Sequence, residues 1–124
     1  MIHLQSEDAS LLFDLIDDTI AITHWGRRIN VFTNEVGAAI ALATGKTVAH
    51  GGLDVACRNL ILREHSRGAT GHPAVKGHRN GKSVAHWFSL VNHEVKGNTF
   101  VAEFADQTAG LAIKLTYTDR KSVV

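Results

Sequence analysis

The chain reads as a mainly β protein, an antiparallel β-sandwich (supersandwich-like) with a short helix in its middle third. Three observations predict this. The last third alternates apolar and polar residues with period two, the first third does the same, and between them apolar residues recur at helical spacing. The clearest element is "AGLAIKLTYT" (109–118). There Leu111, Ile113, Leu115 and Tyr117 alternate strictly with Ala112, Lys114, Thr116 and Thr118. One buried and one solvated face follow from that pattern.

Upstream, "NTFVAEFAD" (98–106) and "KSVAHWFSLVNHEV" (82–95) read as two further strands. Lys96-Gly97-Asn98 supplies one turn and "DQTAG" the next. Residues 84–92, 99–105 and 110–118 are thus expected as consecutive neighbouring strands. Near the N-terminus, "SLLFDLI" (10–16) sets Leu11, Phe13 and Leu15 on one face. "TIAITHW" (19–25) places Ile20 and Ile22 on one side and Trp25 on the other. Asp17-Asp18 is a plausible hairpin turn, because Asp tolerates left-handed backbone angles, and "IHLQ" suits a further short strand. "TNEVGAAIALATGK" (33–46) carries Val36, Ile40 and Ala43 at helical spacing, with Thr33 or Asn34 as the cap. Gly37 inside it costs about 1 kcal/mol relative to alanine. From Val48 to Gly81 the chain is rich in glycine and histidine, and only "NLIL" (59–62) and "PAVKG" (73–77) look strand-like.

At 124 residues the chain suits one domain, and no linker or repeat divides it. A net charge of +1 offers no electrostatic footprint for nucleic acid or an anionic membrane. No apolar run approaches the ~20 residues that span a bilayer. Cys57 is the single cysteine, so no internal disulfide forms and a reducing cytoplasm is the expected compartment. The ending "TDRKSVV" resembles a turn and the opening of another strand, so the chain is expected to be a piece of a longer protein.

The 8 histidines lack the tight spacing that brings ligands to one ion, and His65, His72 and His78 are better read as loop or core residues satisfied by hydrogen bonds. Cys57 beside His50 or His65 could imitate a thiolate–imidazole pair, but one cysteine among so many histidines finds a neighbour by chance. Asp14, Asp17 and Asp18 are better explained by strand and turn positions than as a glycosidic acid–base pair. Trp25 and Trp87 each follow a histidine, in "HWG" and "HWF". Core packing is the favoured reading of both, with stacking on a sugar as the alternative. As a packing residue, Trp25→Ala would cost about 3–5 kcal/mol.

Several segments succeed one another in a telling order. A strand ends in Trp-Gly ("THWGRRI", 23–29), and "GLDVAC" (52–57) follows. "LILREHSRGATGHPAVKG" (60–77) passes a glutamate into a glycine-containing loop with a proline. The "GHRNGKS" turn, the "HEV" strand and the "ADQTAGLAIKLTY" hairpin close the series. In order and spacing they resemble the N-terminal β-sandwich domain of α-galactosidases of glycoside hydrolase family 36, along nearly the whole chain. The departures are "REHSRG", where such enzymes often carry proline or tyrosine after the glutamate, and His72, where many have arginine.

The resemblance implies a non-catalytic domain, residues 1–124, truncated from a multidomain enzyme that releases terminal α-linked galactose from oligosaccharides. Its (β/α)₈ barrel, with two catalytic aspartates, would follow residue 124, so the chain itself holds no catalytic residue. The domain would brace that barrel, support a homo-oligomer and lend loop residues to the active-site rim. Asp54 and Glu64 are the candidate substrate contacts, since polar side chains in a glycine-flanked loop can reach a neighbouring site. An ordinary turn hydrogen bond is the competing reading of Asp54. No cofactor or metal is implied, and neither nucleic acid nor membrane is an expected partner. By the same resemblance Trp25 closes its strand at the sandwich rim, Gly26 lets the chain turn, and Arg27 and Arg28 project outward. A free-standing carbohydrate- or protein-binding sandwich is the alternative.

Overall fold

Hairpins build both main sheets. The computed structural model describes residues 1–44, 59–69 and 71–120. β1 (Ile2–Gln5), β2 (Ala9–Ile16) and β3 (Thr19–Arg27) form the first antiparallel sheet, in that order. α1 (Asn34–Thr44) follows, in the first half of the chain rather than its middle third. A small hairpin pairs β4 (His78–Arg79) with β5 (Lys82–Ser83). β6 (Ser89–Lys96), β7 (Thr99–Asp106) and β8 (Leu111–Thr118) then form the second three-stranded sheet.

Turn chemistry decides where the strands reverse. Asp17 adopts a positive φ of 51° at the β2–β3 turn, as its short polar side chain permits. Asn80 (52°) and Gly81 (74°) are both left-handed between β4 and β5, the pair that a primed two-residue turn requires. Between β7 and β8, Asp106 Oδ1 accepts from the Ala109 amide at 3.1 Å and so closes the turn on itself.

The core lies between the two three-stranded sheets. Ile2, Leu4, Phe13 and Ile20 from the first meet Phe100, Ala102 and Phe104 from the second, with Leu62 and Phe88 completing the cluster. Phe13 sits 4.7 Å from Phe100 and 5.1 Å from Tyr117, ring centre to ring centre. Burial of such a ring contributes roughly 1.5–3 kcal/mol, so the four wholly buried phenylalanines (13, 88, 100 and 104) dominate the apolar drive. On β8, residues 111, 113, 115 and 117 all oppose inward positions of β7, as the alternation predicts. Ile113, Leu115 and Tyr117 pack on the core while half-buried, whereas Leu111, at the strand's beginning, is 38% exposed.

Helix α1 covers the other side of the first sheet. His3 lies opposite Leu12, the Phe32 ring is 4.8 Å from His3, and Gly37 of α1 lies against Phe32. A methyl group on Gly37 would meet Met1 Sδ at 2.6 Å and Phe32 Cζ at 3.0 Å. The glycine that weakens the helix in isolation is what lets it approach the sheet. Thr33 caps the helix, its Oγ1 accepting from the Val36 amide at 3.2 Å.

Three local expectations change. "NLIL" forms only a bridge from Leu60 to Ala21, flanked by hydrogen bonds between Asn59 O and Ile22 N and between Ile61 N and Ile20 O. "PAVKG" contains no strand. The strand expected over 84–92 starts only at Ser89, because the amides of Trp87 and Phe88 are taken by the carboxylates of Asp106 (3.1 Å) and Glu64 (2.8 Å). An amide given to a side chain is lost to the ladder.

Candidate functional site

Asp18, at the end of the β2–β3 turn, is where the two sheets and the 64–69 loop are joined. Its carboxylate takes both terminal nitrogens of Arg67, Nη1 to Oδ1 at 2.9 Å and Nη2 to Oδ2 at 3.1 Å. Oδ2 also accepts from Trp87 Nε1 at 3.0 Å and Ser89 Oγ at 2.8 Å. The Asp18 carbonyl accepts from the Leu90 amide at 2.7 Å. Arg67 continues the network, with Nε donating to Glu64 Oε2 at 2.7 Å and Nη2 to the Phe88 carbonyl at 2.6 Å. Its guanidinium lies 4.0 Å from the centre of the Trp87 ring, a cation–π contact. Glu64, 4% exposed, spends its other oxygen on the Phe88 amide.

The electrostatics follow from the contacts. The side-chain hydrogen bonds from Arg67 foremost, with those of Trp87 and Ser89, hold the Asp18 carboxyl well below the usual carboxylate range against the opposing effect of desolvation. Asp106 is lowered too, first by the Ala109 amide and then by that of Trp87. His86 is buried, stacks on Phe88 at 5.5 Å, and lies 3.8 Å from Asp106 Oδ2, beyond a hydrogen bond. A glycosidic acid must hold its proton near neutral pH, which needs a raised pKa. Asp18 is tuned the opposite way.

A second locus lies at the far end of β3. The β2–β3 register slips between Leu12 and Phe13, so Thr23 is an extra residue on β3. Beyond it Trp25 lies opposite Leu11, as Ile22 lies opposite Phe13 and Ile20 opposite Leu15. Directly opposed residues share a face, so the bulge turns Trp25 onto the same face as Ile20 and Ile22, not the reverse one. It is nevertheless 82% exposed. Clefts of about 360 Å³ and about 680 Å³ border it, with Trp25 and Tyr117 common to both.

Residues 18–123 match the family described as the glycosyl hydrolase family 36 N-terminal domain. The chain belongs to that family. No curated protein and no solved structure matches it significantly. The match begins at Asp18, the hub of the junction, and runs through all of the second sheet.

Within the family 36 domain, the two residues expected to touch substrate fall differently. Asp54, like His50 and Cys57, lies outside the described residues. Glu64 is turned inward to Arg67 and the Phe88 amide. In the sequence Asp18 looks like a turn residue and Arg67 carries no expected role, since 49 residues separate the pair. The available signals were modest: an aspartate doublet at a turn, and an arginine three residues after a glutamate. Trp25 is not a core residue, and β3 runs straight through Gly26 to Arg27, with no turn at the glycine. Arg28 does not project freely; Nη1 donates to the Ser6 carbonyl at 3.2 Å and steadies the β1–β2 turn. His65 Nε2 donates to the Gly71 carbonyl at 2.7 Å, a loop role, while His72 and His78 are exposed. Among the described residues no three His, Cys, Asp or Glu converge to hold a metal ion, and no helix is long and apolar enough to cross a membrane.

Proposed function

We infer that this domain is the non-catalytic N-terminal part of a retaining α-galactosidase, where it braces a catalytic barrel that removes terminal α-linked galactose from oligosaccharides. The family match over residues 18–123 carries the reading. The chemistry of the junction agrees with it: both carboxylates around Arg67 are committed to ion pairs, leaving neither as the nucleophile or the proton donor that retention requires about 5–5.5 Å apart. The barrel would supply that pair.

In this reading the partners are the parent's own barrel and further copies of the chain, in the cytoplasm. Support comes from the second sheet. From Val91 to Lys96 both faces of β6 are exposed, and β6 is the outer strand of its sheet. Val91 and Val95 are exposed on that edge strand, and exposed apolar side chains at an edge are ones a partner can cover. Glu64 would then act through Arg67 by fixing the path of the 64–69 loop beside the barrel, and Asp54 stays the other candidate substrate contact.

The test has two arms. The 124-residue chain should leave a nitrophenyl α-galactoside intact, while the enzyme encoded by the complete reading frame should cleave it with retention. Turnover by the short chain that vanishes on Glu64→Gln would overturn the non-catalytic reading. A complete enzyme that prefers another glycoside would overturn the α-galactoside assignment alone.

A further inference from the structure

We propose that the clefts around Trp25 form a non-catalytic carbohydrate-binding surface. A tryptophan turned by a bulge onto the core-facing side, yet left in solvent, forgoes the burial that usually holds so large a ring. Its setting is concave, and both clefts are of the size that small-molecule ligands occupy. Both clefts carry polar side chains. Ser6, Asp119 and Arg120 line one cleft; His24, Asn59 and Arg63 line the other. In the wall of the larger cleft Thr23, the bulged residue, is buried with a hydroxyl that has no hydrogen-bond partner among the described residues.

A sugar ring has the matching chemistry. It offers an apolar C–H face to the indole and a girdle of hydroxyls, each donor and acceptor, to the surrounding side chains. Each cleft sets such polar groups among apolar side chains, Leu11 in one and Leu60 and Ile61 in the other. The inference rests on the glycosidase reading only for the choice of sugar. Two probes are therefore used: raffinose, which ends in α-galactose, and maltotriose, which does not.

The chain has two tryptophans, so the ¹⁵N-labelled protein gives two indole N–H signals. Titration should move the Trp25 signal saturably, with half-saturation near the millimolar range typical of weak sugar contacts (about −4 kcal/mol). The Trp87 signal should stay, because Asp18 holds its Nε1. Trp25→Ala should weaken binding at least tenfold, read on the backbone amides of Thr23 and His24, while the unchanged Trp87 signal reports an intact fold. Trp25→Phe should retain part of the affinity. A response to maltotriose alone supports the site and counts against the α-galactosidase reading. Silence of the Trp25 signal with both sugars overturns the proposal. So does broadening that grows with protein concentration in the absence of sugar, since a second copy would then be what covers the ring.

Discussion

The two tryptophans, each preceded by histidine, have opposite fates. Trp87 is held at both ends: its amide by Asp106, its indole N–H by Asp18, and Arg67 lies against its ring. Trp25, at the far end of the first sheet, is 82% exposed and borders two clefts. The sequence neighbourhood of an aromatic therefore says little about its work. What matters is whether the topology brings it partners from distant segments. Around Trp87 those partners arrive from the β2–β3 turn, the 64–69 loop and the β7–β8 turn; around Trp25, among the described residues, the bulge delivers the ring to two clefts that leave it exposed.

The sharpest way to break that comparison is to remove the group that ties the junction together. Arg67→Ala leaves Glu64 buried without its cation and strips Asp18 of its bidentate partner. Loss of one member of a buried ion pair costs about 3–5 kcal/mol. The variant should be largely unfolded at temperatures where the wild type is intact, as read by thermal or urea unfolding. Arg67→Lys should fall between the two, since one ammonium cannot span both carboxylates. A loss below about 1 kcal/mol for Arg67→Ala would show that the junction decorates the fold and does not secure it.

Legibility in the sequence follows from range. The β2–β3, β6–β7 and β7–β8 turns are readable because the cues are local: alternation every second residue, and Asp17, Gly97 and Gly110 where φ must be positive. The bulges at Thr23 and Val91 are not, since a single inserted residue leaves composition unchanged while it reverses every later side chain. Strand β6 was predicted to start too early because the amides of Trp87 and Phe88 go to carboxylates that lie 19 and 24 residues away. The Asp18–Arg67 pair is farther still. Such contacts leave no periodic trace, which is why the site was harder to see than the fold.

Acid should probe the same junction next. The folded Asp18 and Asp106 both titrate below their ordinary values, so each contributes stability that is complete above the unfolded carboxylate value of about 3.9. That contribution is lost as pH falls through the lower folded values. Urea midpoints should therefore be level from pH 7 to about 5 and drop below about 4. Asp18→Asn should flatten part of the drop; an unchanged acid limb would place the sensitive carboxylates elsewhere. Smaller again is Trp87→Phe, which keeps a ring beneath Arg67 but deletes the bond to Asp18. With the indole 48% exposed, about 1 kcal/mol is expected, and a neutral result would mean that solvent replaces the bond at no cost.

The smallest effect belongs to Trp25→Ala. A tryptophan read as core would lose about 3–5 kcal/mol on truncation, and the strand pattern before it, Ile20 then Ile22, invites that reading. The geometry reverses the expectation. Surface changes away from caps, turns and networks fall within about ±0.5 kcal/mol, which for a chain of this size is a shift of no more than about 3 °C in Tm. Trp25 makes no ring contact with another aromatic among those formed by Phe13, Phe100 and Tyr117. Melting the variant beside Trp87→Phe therefore sharpens the comparison: the larger deletion should be the milder one. If Trp25→Ala instead melts more than about 10 °C below wild type, the ring is packed in solution and the open cleft does not persist there. The carbohydrate proposal would fall with it, because a buried indole has no face to offer a sugar.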